Sequence, residues 1–78
     1  MEIFEIIGIQ HKMGDFNGSR YDNMVFSVTR PADASKGEQG LIASQIKIKT
    51  ELLNSIPSVG DSVIPIYDRF GRCVGFQD

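Results

Sequence analysis

Leu41-Ile-Ala-Ser-Gln-Ile-Lys-Ile-Lys49 decides the fold. Ile42, Ile46 and Ile48 fall on one side of an extended chain, and Gln45, Lys47 and Lys49 on the other, because successive strand side chains point to opposite faces. Upstream, Tyr21 to Arg30 alternates in the same way. Met24, Phe26 and Val28 share one face, and Asn23, Ser27 and Thr29 the other. Val25 interrupts that polar set, as it would on a partly covered side. Ile3 to Gln10 is rich in β-branched residues, and Gly8 within it predicts a bulge or sharp bend.

Downstream, Ser58 to Asp61 carries turn residues, and Val63–Tyr67 with Arg72–Phe76 reads as a closing hairpin. Its alternation predicts Ile64 and Ile66 inward, with Val63 and Tyr67 on the other face. Between the third and fourth strands, Thr50-Glu-Leu-Leu-Asn-Ser-Ile56 suits one helical turn. Thr50 would cap it, Leu53 and Ile56 would plug a barrel end, and Pro57 would stop it. Pro31 to Gly40 is polar and reads as a surface loop. The fold class expected is therefore all-β. Residues 1–78 would form one domain, a small closed or partly open barrel of five strands with at most a short helical turn between strands three and four. The OB-fold is the first candidate and an SH3-like barrel the alternative.

A chain of 78 residues buries only about 60% of its unfolded surface, so a barrel with few exposed edges suits it. Cys73 is the only cysteine, which rules out a disulfide within the chain and fits a reducing, cytoplasmic setting. Met1-Glu-Ile-Phe-Glu5 lacks the basic start and apolar run of a signal peptide. No apolar run reaches the length of a membrane span. The formal net charge is −2, against the basic balance usual in nucleic-acid binders. The acidic residues nevertheless weigh on the two ends, and the middle of the chain is slightly basic.

Little supports catalysis. His11 is the one histidine, so a metal site would need unusual help from carboxylates. Cys73 sits in a short strand and reads as packing rather than as a nucleophile. Gly14 and Gly18 lack the lysine and helix of a phosphate loop. No enzyme activity, cofactor, membrane contact or small-molecule substrate is expected.

Three features favour binding. The segment His11 to Tyr21 reads as a long glycine-bearing connection that carries Lys12, Phe16, Arg20 and Tyr21. Lys47 and Lys49 project from one face of a strand and could follow a phosphate chain. The tip Tyr67-Asp-Arg-Phe-Gly-Arg72 sets Phe70 between Arg69 and Arg72 at a bend, where burial cannot explain a phenylalanine. Cations strung along a groove with aromatic platforms are what single-strand binders use.

The order of these features resembles the small OB-fold single-stranded-DNA-binding proteins of filamentous phages and related proteins of phages and mobile elements. The shared elements are Gly18-Ser-Arg-Tyr21 at the end of a projecting loop, and Phe70-Gly71 in the last hairpin after Val59-Gly60-Asp61. The resemblance implies a homodimer that binds single-stranded DNA, or RNA, without strong sequence preference. It also implies stacking by Tyr21 and Phe70, and a role in replication or transfer. Pro31 to Gly40 has no counterpart in that pattern, and Asp22 beside Tyr21 weakens the attraction for phosphate. The binding residues expected are Lys12, Phe16, Arg20, Tyr21, Lys47, Lys49, Tyr67, Arg69, Phe70 and Arg72. A protein-interaction module anchored by Tyr67 and Phe70, or an accessory subunit of a larger assembly, is the competing expectation.

Overall fold

The computed structural model describes residues 2–77. Six strands form two sheets. Strands β1 (Phe4–Phe16), β2 (Ser19–Pro31), β3 (Leu41–Lys49) and β4 (Ser62–Val63) make an antiparallel sheet ordered β3-β2-β1-β4. Strands β5 (Pro65–Tyr67) and β6 (Cys73–Phe76) make a hairpin. The larger sheet curls into a half-barrel, and β6 lies beside β3 without joining its ladder.

The longest feature is the β1–β2 ribbon. Asn17 and Gly18 adopt φ values of 51° and 79° and join Phe16 directly to Ser19. This is the left-handed pair that a two-residue hairpin turn requires, and Asn-Gly is the dipeptide that tolerates it best. Thirteen-residue strands rising about 3.3 Å per residue account for the 46 Å long axis. The segment His11 to Tyr21, expected as a loop, is therefore paired strand around a tight turn. Strand β3 pairs with β2 only from Asn23 to Pro31, so residues 13–22 project beyond the sheet as a two-stranded ribbon.

The expected irregularity at Gly8 is present. The β1–β2 register shifts between Ile6 and Gly8, leaving Ile7 as the extra residue of a bulge, and such bulges bend a strand. At the bend, Ile6 donates its N–H to the Asp61 carbonyl at 2.9 Å, and Gly60 donates to the Ile6 carbonyl at 2.8 Å.

Phe4, Ile6, Met24, Phe26, Val28, Ile46, Ile48 and Val63 form the core, with Ile9, Leu53, Cys73 and Phe76 packed against it. Phe26 and Phe76 meet edge to face, with centroids 5.2 Å apart, an arrangement favoured by the ring quadrupoles. This contact ties the small hairpin to the concave side of the sheet.

Three expectations need correction. The expected fourth strand is two strands, β4 and β5, because Pro65 has no N–H to continue a ladder. The facing also runs in the opposite phase, with Val63 buried at 6% exposure and Ile66 standing out at 42%, the reverse of the predicted facing. The helical turn shrinks to a 3₁₀ turn at Thr50–Leu52 with no side-chain cap. Leu53 does reach the core, but Ile56 is exposed. The polar loop after β2 contains a second 3₁₀ turn, Ala34–Lys36, capped by the Asp33 carboxylate and ended by Gly37 at φ 74°.

Candidate nucleic-acid interface

The β1–β2–β3 register sorts the side chains of the convex face. Phe16 pairs with Ser19, Gly14 with Tyr21, and Lys12 with Asn23. Asn23 in turn pairs with Lys49, and Val25 with Lys47. Cross-strand partners share a face and alternate residues repeat it. Phe16, Tyr21, Lys12, Lys47 and Lys49 therefore occupy one face, opposite the core residues Met24, Phe26, Ile46 and Ile48. The Tyr21 side chain leans across the ribbon over Gly14. A Cβ there would lie 2.7 Å from the tyrosine Cζ, so the missing side chain makes room for the ring.

Beside this face, an open groove of about 970 Å³ runs where β3 faces the β5–β6 hairpin. Ribbon residues Arg20, Tyr21 and Asn23, strand residues Lys47 and Lys49, and hairpin residue Arg72 line it, with Leu52, Cys73 and Val74 as apolar wall. Asp22, Glu51 and Asp68 also line it, so four cations face three carboxylates.

Two of those carboxylates are engaged locally. Asp22 Oδ1 accepts the Thr50 hydroxyl at 2.6 Å and lies 2.6 Å from His11 Nε2. The Thr50 hydrogen bond, then the one from His11, holds its carboxyl below the usual range. This node ties β1, β2 and the 3₁₀ turn together beside the groove. The ladder makes His11 and Asp22 diagonal neighbours on the concave face. The Asn17-Gly18 turn already implies that juxtaposition, so it was discoverable from the sequence although His11 alone reads as merely solvated.

Asp68 organises the hairpin tip. Its carboxylate accepts the backbone N–H groups of Phe70 and Arg72, both at 2.9 Å, and Arg72 Nε at 3.3 Å. The Arg72 N–H does most to lower its pKa. Gly71 at φ 80° completes the turn. So held, Phe70 is 68% exposed. The Arg69 and Arg72 guanidinium carbons lie 5.1 and 5.4 Å from its ring centroid, within cation–π range.

Of the ten expected binding residues, Arg20, Tyr21, Lys47, Lys49 and Arg72 line the groove. Lys12 and Phe16 share the convex face but lie outside its lining. Arg69 and Phe70 sit on the tip at its margin, linked to it through Arg72. Tyr67 pairs with Cys73 on the hairpin and also lies outside. Arg20 is not unencumbered, since its Nε is 3.5 Å from Asp15. Asn23, Thr50, Leu52 and Val74 are groove residues without a sequence signal, because their types are ordinary for a strand or turn. Among the described residues, no group of three His, Cys, Asp or Glu side chains could hold a metal, and no helix is long and apolar enough to cross a membrane.

No family model, curated protein or solved structure matches this chain.

Proposed function

We propose that the groove between β3 and the last hairpin binds single-stranded nucleic acid, with DNA as the first candidate, and with little sequence preference. The observation that carries this is the meeting of Arg20, Tyr21, Lys47, Lys49 and Arg72, drawn from three separate segments, on one open groove. The lysines and arginines would contact phosphates. Tyr21 and Phe70 would stack on bases, each contributing about 1–3 kcal/mol whatever the base. Binding would need no catalytic group. A task in replication or in transfer of a phage or mobile element follows from the resemblance.

The connectivity supports an OB-like assignment over an SH3-like one. Strand β1 sits between β2 and β4, a helical turn separates β3 from β4, and the final strand lies beside β3. OB-folds receive oligonucleotides on the face of strands two and three and between the loops that join strands one to two and four to five. The projecting ribbon and the Asp68–Arg72 tip stand at those two places.

Titration with oligo-dT, followed by tyrosine emission, tests the proposal, since the chain has two tyrosines and no tryptophan. Binding that weakens with salt at a slope of about 0.7 per phosphate contact is expected. Absence of binding at low salt, or binding without a salt slope, rejects it.

A second reading has its own observation. Phe70 lies at the groove margin, exposed between two guanidiniums, as an aromatic anchor for an acidic protein partner would. Association that survives nuclease treatment and is lost in Phe70→Ala would favour it.

A further inference from the structure

His11 is the one histidine of the chain. It does not line the groove, but it stands directly behind a carboxylate that does. Its Nε2 lies 2.6 Å from Asp22 Oδ1, the oxygen that also accepts the Thr50 hydroxyl at 2.6 Å. Asp22 and Thr50 are both groove residues. The two hydrogen bonds hold the Asp22 carboxyl below the usual range, and an ionised carboxylate can only accept. Nε2 therefore carries a hydrogen in either charge state of the ring, and the second proton enters at Nδ1. Solvent protons reach the ring, since the side chain is 46% exposed. The contact with Asp22 thus persists while the ring behind it changes from neutral to cationic.

The surrounding charges make that change count. Arg20, Lys47, Lys49 and Arg72 line the groove with Asp22, Glu51 and Asp68, four cations against three carboxylates, an excess of one. A protonated His11 raises the excess to two. On its own strand, Lys12 points to the opposite face, and Asp15 is engaged by Arg20 at 3.5 Å. On β2, Asp22 is the contact itself, and Met24, the ladder partner of His11, is apolar. The 3₁₀ turn brings Thr50 and Glu51. On β3, Lys49 stands on the far face beside Asn23. On the hairpin side, Asp68 and Arg72 hold each other at 3.3 Å. Carboxylates ordinarily titrate at about pH 4, and thiols, lysines and arginines above about pH 8. Histidine is the side chain that ordinarily changes charge between about pH 5 and 8.

We propose that the His11–Asp22 pair is a proton-operated regulator of the groove: uptake of a proton at His11 strengthens the groove's hold on a polyanion, and release weakens it. The inference rests on the groove as a nucleic-acid site and adds its regulation. The sign follows from linkage. Phosphates favour the cationic ring, so affinity rises as pH falls through the histidine range. Bound nucleic acid in turn makes His11 easier to protonate.

Oligo-dT affinity at fixed salt, compared between about pH 7.5 and about pH 5.5 to span the histidine range, tests the proposal. Wild type is expected to bind about fivefold more tightly at the lower pH, the effect of one charge acting at about 4 Å through water. His11→Gln keeps an amide N–H for Asp22 but cannot gain charge. It is expected to bind alike at both pH values, near the wild-type affinity at the higher one. His11→Lys keeps a charge throughout and is expected to hold the tighter affinity at both. A second measurement serves should either variant fold poorly. The His11 ring signals of wild type, followed by nuclear magnetic resonance, are expected to titrate at higher pH when oligo-dT is present. Wild-type affinity indifferent to pH, an equal gain in His11→Gln, or a ring titration that oligo-dT leaves in place would overturn the proposal while the groove reading stands. Absence of oligo-dT binding at both pH values would sink the groove reading and this inference with it.

Discussion

Two arginine–carboxylate pairs show how the same chemistry serves two ends of this small all-β fold. At the β2–β3 loop, Arg30 meets Glu38 through both nitrogens and both oxygens, each at 2.8 Å. The side chains are only 17% and 21% exposed, and Glu2 adds a contact to Arg30 Nε at 3.1 Å. Glu38 also accepts the Asp33 N–H at 2.9 Å. At the hairpin tip, the Arg72 guanidinium touches Asp68 through Nε alone, at 3.3 Å, and 72% of the side chain is exposed. The first guanidinium is used up in closing a loop. The second is positioned by its carboxylate yet keeps most of its donors free for something else. The difference lies in geometry, since a bidentate, shielded pair gains specificity and strength that an exposed single contact lacks.

The contrast breaks most forcefully at the aromatic contact that holds the tip's hairpin to the sheet. Phe26→Ala removes a fully buried ring and its edge-to-face partner, and is expected to cost about 3–5 kcal/mol of stability, measured by urea unfolding. Both regions should loosen together, because β6 is anchored through Phe76. If only the hairpin became mobile while the sheet kept its stability, the single shared core described here would be wrong.

Phe70→Ala probes the opposite end of the scale. The exposed ring contributes nothing to the core, so melting should stay put while oligo-dT affinity falls by about 1–3 kcal/mol. A matching drop in melting temperature would move Phe70 from the ligand side of the comparison to the structural side.

The two ends also differed in how far they could be read from sequence. The tip was legible. A turn built from Asp68 and Gly71 leaves Phe70 no route inward, and the structure agrees. The Lys47–Lys49 face was legible because Ile46 and Ile48 must turn toward a core. The ribbon was not. Residues 13–22 have no third strand beside them and no buried face, so no apolar alternation marks them as strand, and only Asn17-Gly18 betrays the turn. The facing of Val63 and Ile66 was misjudged because Val63-Ile64-Pro65-Ile66 is apolar at every position, so no polar alternation marks which side turns inward. The Arg30–Glu38 closure was invisible for a different reason. It joins a strand end to a polar loop whose path depends on the 3₁₀ turn at Ala34–Lys36.

Acid sharpens the comparison at the Arg30 corner. Hydrogen bonds from Arg30, then from the Asp33 N–H, lower the Glu38 pKa from 4.5 to about 2. A carboxyl whose pKa is depressed on folding adds stability that is fully present above its ordinary value and is lost as pH falls toward the folded value. Stability should therefore decline between roughly pH 4.5 and 2, and Glu38→Gln should remove part of that slope while lowering stability at neutral pH. Asp33, held down by the Ser35 hydroxyl and N–H, and Asp68 add to the slope in the same sense, so the substitution should flatten it without abolishing it. An unchanged acid profile in Glu38→Gln would mean that the bidentate pair does not couple to folding.

The finest probe is Gly14→Ala, on the ribbon. The new methyl would meet the Tyr21 ring at its free end, 2.5–3.0 Å from Oη, Cζ and Cε1. A ring on a flexible side chain can swing away, and an exposed strand site pays little for it, so stability should change by no more than about 0.5 kcal/mol. Ligand binding should register the change more clearly. If Gly14 holds Tyr21 where a base can stack, the variant loses part of the affinity that Tyr21→Ala loses in full, and its tyrosine emission shifts before any ligand is added. A variant whose emission shifts while its affinity stays at the wild-type value would show that the ring moves without consequence. Tyr21 would then be cover for the ribbon backbone, leaving the lysines and the hairpin tip to carry binding.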